Sequence, residues 1–103
     1  MGFLSFLLFR NSHLKEALKK GAVIIDVRTP TEFDQGRVPD SVNIPVDRIP
    51  VNAERIRHMK RPVIFCCSTG ARSGTATRIM KEKGKKDVYN GGSWENVLRV
   101  IRG

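Results

Sequence analysis

Cysteine is scarce here and placed unusually. The 103-residue chain has two cysteines, and they are adjacent, Cys66 and Cys67. Two cannot build a disulfide framework or a four-cysteine zinc site. Sequence neighbours also rarely close an unstrained disulfide, so a reduced thiol pair in the cytoplasm is the expectation. Long apolar runs are missing as well. Nothing approaches the roughly 18 residues that a membrane-spanning helix requires. Aromatic residues make up only 7% of the chain. Histidine is limited to His13 and His58, each in a basic, helical stretch that reads as solvated surface. There is no internal repeat and no linker. What remains is one globular domain, 40% apolar and 28% charged, long enough to bury a core of its own.

Charge is distributed unevenly. Residues 1–47 carry six basic and six acidic side chains, whereas residues 48–103 carry thirteen and four. The whole net charge of +9 therefore sits in the half that holds both cysteines. Such a field attracts small anions or acidic proteins. Nucleic acid is not expected, because only Phe65, Tyr89 and Trp94 accompany the basic residues of that half.

The first residues, MGFLSFLLF, lack a basic region before the apolar stretch and a small-residue cleavage site. A signal peptide is therefore not predicted. Residues 1–11 read as an apolar segment docked on a domain that spans 12–103, with weak membrane-surface contact or a dimer contact as alternatives. From Ser12 the patterns alternate. A helix capped by Ser12 ends at Gly21, and Ala22–Ile25 is a strand apolar on both faces. Thr29-Pro30-Thr31-Glu32 has capping-box spacing and opens a short helix to about Gln35. Strands follow at 41–44, 62–66 and 87–89, with helices within 51–60, from the Gly74 region to Lys83, and from Trp94 to Ile101. Asn90–Ser93 reads as a turn. The expected fold class is α/β, a small, mainly parallel sheet of four to five strands with helices on both faces.

The informative unit is strand, Cys67, small polar loop, helix. Ligands of open α/β sheets bind beyond the carboxyl ends of the strands. Ser68, Thr69, Gly70, Ala71, Arg72 and Ser73 are compatible with a backbone curled so that its N–H groups converge. With the following helix N-terminus and Arg72, such a cradle favours thiolate over thiol at Cys67. Cys66, within the strand, reads as an inert core thiol.

Cys67-Ser68-Thr69-Gly70-Ala71-Arg72-Ser73 resembles the active-site loop of the rhodanese (thiosulfate sulfurtransferase) family, C-x-x-G-x-R-[ST]. Ile25–Phe33, Gly36–Pro45 and Asn90–Trp94 are similar to three further family segments, in the family's order. Arg37 stands where histidine is usual and Asp40 where glycine is usual; Trp94 comes slightly early. The resemblance implies a rhodanese-like fold and no metal or organic cofactor. Cys67 would form a persulfide by taking sulfur from an anionic donor such as thiosulfate. It would pass that sulfur to cyanide, a thiol or an acidic acceptor protein. Asp26 and Arg28 are supporting residues, Asp26 anchoring loop backbone and Arg28 pairing with Glu32 one helical turn on.

Two other readings fit parts of the pattern. One is a persulfide carrier or a redox or metal-sensing dithiol built on both cysteines, although strand alternation points their side chains apart. The other is a cysteine phosphatase or arsenate reductase, since Cys66 begins a C-x5-R run ending at Arg72. Against that, Gly70 is fourth after Cys66 rather than third, and Phe65 precedes it.

Overall fold

A computed structural model describes residues 2–103. The chain runs α1 (Phe3–Lys19), β1 (Val23–Asp26), α2 (Pro30–Gln35), β2 (Val42–Asn43), a 3-10 turn (Val46–Arg48), α3 (Ile49–Arg57), β3 (Val63–Cys67), α4 (Ala71–Glu82), β4 (Val88–Ser93) and α5 (Trp94–Arg102). The sheet is parallel throughout, in the order β2-β1-β3-β4. This is the expected α/β class, with four strands.

Local chemistry accounts for the element ends. Thr29 accepts from Glu32 N–H while the Glu32 carboxylate accepts from Thr29 N–H at 3.0 Å, so the predicted capping box is formed. The Ser93 hydroxyl accepts from Asn96 N–H and starts α5 directly after β4. Every residue of β3 is buried, because helices cover both of its faces.

Those faces form two cores. Ile25, Val27, Phe65, Cys67, Ala76 and Met80 belong to the side covered by α3 and α4. Ile24, Ile64, Cys66, Leu14 and Val97 belong to the side covered by α1 and α5. Each fully buried valine, leucine, isoleucine, phenylalanine or methionine among them contributes about 1.5–3 kcal/mol by leaving water. The period of two along β3 sends the two adjacent cysteines into different layers.

Three expectations need correction. The first helix begins at Phe3 rather than at Ser12, which is an exposed mid-helix residue. The apolar residues before it are consequently not docked. Phe3 is 79% and Phe9 64% exposed, with Leu4, Phe6 and Leu8 also exposed. The reason is geometric: α1 runs antiparallel to the strands, and Asn11 already pairs with Asn96 in the first turn of α5. Residues 3–9 extend past that level, at the carboxyl edge of the sheet, where little covers them. Finally, Asn90–Ser93 belongs to β4 rather than to a turn. β4 accommodates these residues through an irregularity opposite Phe65–Cys67.

Asp40, where the resemblance led us to expect glycine, has φ +67°. The position is left-handed, a conformation glycine adopts freely and aspartate is one of the few other residues to tolerate.

Candidate active site

Cys67 is the last residue of β3, so its side chain meets the loop at the carboxyl edge of the sheet. Ser68, Thr69 and Gly70 form the bend, and Ala71, Arg72 and Ser73 are the first turn of α4. Gly70 lies at φ +105°, and a Cβ there would stand 3.3 Å from the Gly92 backbone. Glycine is required at this point for both reasons. Gly70 N–H donates to Cys67 Sγ at 2.9 Å. The buried Ser73 Oγ is 3.4 Å from the same sulfur.

These contacts set the acidity of Cys67. Burial pushes the thiol up, yet bonds from the Ser73 hydroxyl and from the amides of Ser73, Thr69 and Gly70 outweigh it. The thiol is held below its ordinary value, as a site favouring thiolate should be. Cys66 goes the opposite way. Burial, then the nearby Asp26 carboxylate, push its thiol far up, with Arg28 only partly offsetting them. Cys66 is a buried core thiol whose protonated form is favoured.

Arg72 is tied to its surroundings. Its guanidinium donates to both Glu32 carboxylate oxygens at 2.8 and 3.0 Å and to Ser68 Oγ at 3.0 Å. It therefore braces the loop while its charge is shared with Glu32. The Arg72 bond, followed by the Thr29 N–H, pulls the Glu32 carboxyl down to about 2. The remaining loop side chains are less engaged. Thr69 Oγ1 accepts from Ala71 N–H at 3.4 Å, and Ala71 is exposed.

Asp26 and Arg28 lie together at the end of β1, but not as expected in every respect. Arg28 pairs with Asp26 (2.7 Å), both side chains being almost wholly buried. Glu32 offers Arg28 only its backbone carbonyl, because its carboxylate is committed to Arg72. Arg28 also donates to Gly36 O at 2.6 Å and lies under the Trp94 ring at 5.1 Å. Burial lowers its pKa, but Asp26 raises it more, leaving the guanidinium above its ordinary value. Asp26 accepts from Arg28 N–H at 3.0 Å, which is the loop-anchoring role expected of it. Asn43 completes the support by donating to the carbonyls of Asp26 and Arg28.

Sequence reasoning missed Asn90. Its Oδ1 accepts from Ser73 Oγ (2.7 Å) and Gly92 N–H (2.9 Å), while its Nδ2 donates to Gly70 O (3.1 Å). One amide thus ties β4 to both ends of the cradle, with its orientation fixed by its neighbours. Ser73 has one hydroxyl proton. With Cys67 as thiol that proton goes to Asn90 and Oγ accepts from S–H; with thiolate it turns to the sulfur. The only sequence signal was a polar residue before two glycines in a β-favouring run.

Cys67 has no exposed surface, whereas Ser68 and Thr69 above it are exposed. The sulfur lies at the floor of the cradle, beneath a thin segment of small residues.

The rhodanese-like domain family model matches residues 11–98. A sulfurtransferase from Allochromatium vinosum is 35% identical over 68 residues, covering 66% of this chain and 63% of that protein. The thiosulfate sulfurtransferase GlpE of Pseudomonas syringae is 34% identical over 74 residues, covering 70% and 67% of the two chains. Among solved structures, a rhodanese with anions from E. coli superposes with a TM-score of 0.66 at 30% identity. That match covers 73% of this chain and 89% of the other. The chain spans a little under two thirds of the length of the Allochromatium protein.

Proposed function

The chain belongs to the rhodanese-like domain family of sulfurtransferases, and on that premise we propose that Cys67 carries a sulfane sulfur as a persulfide, with thiosulfate as one donor. The Cys67 thiolate attacks the outer sulfur of thiosulfate. A new S–S bond forms, the S–S bond of the donor breaks, and sulfite leaves with the electron pair. The product is a persulfide anion on Cys67. A thiophilic acceptor such as cyanide, a thiol or an acidic acceptor protein then takes the terminal sulfur and regenerates the thiolate. Charge is conserved in each half, and neither needs an external oxidant.

The observation that carries this reading is the Gly70 N–H directed at Cys67 Sγ within a cradle that favours its anion. Preorganised donors of this kind stabilise charge without reorganising during the reaction. Because the sulfur is buried, loading requires Ser68–Gly70 to give way, and these small side chains present little obstacle. The basic half of the chain draws in the anionic donor. Two unpaired thiols fit a reducing compartment such as the cytoplasm.

The rival readings fit less well. Cys66 and Cys67 lie in different layers, which speaks against a vicinal dithiol. Arg72 is occupied by Glu32 rather than free for a phosphate or arsenate oxygen.

Intact-mass measurement of reduced protein before and after thiosulfate tests the proposal. Wild type and Cys66→Ser should gain one sulfur atom, and Cys67→Ser none. Loading that persists in Cys67→Ser would overturn it.

A further inference from the structure

The first two turns of α1 are the part of the molecule that its core does not account for. A Cβ on Gly92 would stand 2.8 Å from Arg10 Nη2, so the Arg10 guanidinium lies against β4 where that strand meets the Cys67 loop. Residues 3–9 therefore project beyond the carboxyl edge of the sheet, next to that loop. Phe3, Leu4, Phe6, Leu8 and Phe9 are all exposed there. With about 3.6 residues per turn, these side chains and Leu7 point to every side of the helix except the one held by Ser5.

Both flanks of α1 are basic. Arg10, Lys81 and Lys86 line the groove toward α4, and Lys15 and Arg99 line the groove toward α5. No acidic side chain lines either groove. None of these five cations is in an ion pair among the described residues. Within α1 itself the first acidic residue is Glu16.

We propose that the first two turns of α1 dock this protein on an anionic bilayer surface. The apolar side chains enter the boundary between headgroups and acyl chains, and the flanking cations meet lipid phosphates. The length agrees. Residues 3–9, at about 1.5 Å each, reach roughly 10 Å, the depth of an interfacial helix and about a third of a hydrocarbon core. No helix among the described residues is long and apolar enough to cross a membrane. The distribution of the side chains favours lipid over a second copy of the chain. A second copy would cover one stripe of the helix and leave the other apolar side chains in water. Its own positive charge would also oppose the approach. Lipid surrounds a helix end on all sides, and an anionic surface attracts the cations beside it. Because the Cys67 loop lies at the same edge of the sheet, docking brings that loop close to the bilayer.

The test is flotation of the full chain with lipid vesicles at low salt. Vesicles of phosphatidylcholine and phosphatidylglycerol in equal parts should carry the protein up the gradient. Phosphatidylcholine alone should carry about tenfold less. The double change Phe6→Ser and Phe9→Ser, at two exposed positions, should weaken binding to the anionic vesicles about tenfold or more. In wild type, amide hydrogen exchange over residues 3–9 should slow when anionic vesicles are added. This readout does not depend on how well the variant folds. No flotation, equal flotation with the neutral vesicles, or unchanged exchange over residues 3–9 would overturn the proposal. So would a lipid-free, concentration-dependent dimer in sedimentation that the double variant abolishes, since the patch would then belong to a second copy. No readout involves Cys67 chemistry, so failure here is separable from failure of the sulfur-transfer reading.

Discussion

Cys66 and Cys67 are consecutive residues of one strand, equally buried, and shifted in acidity in opposite directions. Around Cys66 are apolar side chains of the α1 and α5 layer and the paired Asp26 and Arg28, so the proton is held tightly. Cys67 turns to the other face and, as the final strand residue, lies against backbone N–H groups and a hydroxyl. Burial by itself therefore does not fix the direction in which a thiol's acidity moves. What decides it is whether the burying groups are donors to the anion.

Four changes would break or sharpen that contrast. The largest acts on the Cys66 side. Arg28→Ala leaves the Asp26 carboxylate buried without its partner, at a cost of about 3–5 kcal/mol. Denaturant unfolding should show this as a large drop in midpoint, while Cys67 in the remaining folded protein still loads sulfur. On the Cys67 side, Asn90→Ala removes the tie between β4 and the cradle. A loss of about 1–3 kcal/mol is expected in the same measurement, together with slower loading. A variant that loads sulfur at the wild-type rate would show that the tie is not needed to shape the loop.

Smaller again is Ser73→Ala, which removes one donor to the thiolate but leaves the amides. The thiol pKa rises, so the pH–rate curve for loading moves to higher pH. Less thiolate, and slower loading, is expected on the acid side of that curve. An unmoved curve would assign the acidity to the amides alone. Glu32→Gln gives the smallest effect. The Glu32 carboxyl is depressed to about 2 in the folded protein, against an ordinary 4.5. Its contribution to stability is thus present above pH 4.5 and is lost as pH falls toward 2. The variant should lose that modest contribution at pH 7, lie closest to wild type near pH 2, and so lack that part of the acid-unfolding limb.

Much of this site was legible in the sequence. Cys67, its small loop and the helix after it announce themselves through composition, because a loop that must curl around one atom excludes bulky residues. The Thr29–Glu32 capping box and the burial of Cys66 within the strand were readable for similar local reasons. Partner choice was less so. Arg28 and Glu32 are four residues apart and of opposite charge, so pairing them was the natural expectation. Arg72 is 40 residues from Glu32 and takes its carboxylate instead, with Arg28 turning to Asp26.

By itself the sequence indicated the alternation of strands and helices and singled out Cys67 as the candidate nucleophile, since these follow from neighbours within a few positions: apolar period, caps, breakers, small residues. Only the tertiary structure decided that Asn90 braces the cradle, that Glu32 belongs to Arg72, and that the apolar turns of α1 stand clear of the core. Such outcomes depend on which distant groups are brought within about 3 Å of one another. That proximity is a property of the whole packed arrangement, in which each buried donor and charge must find whichever partner lies within reach.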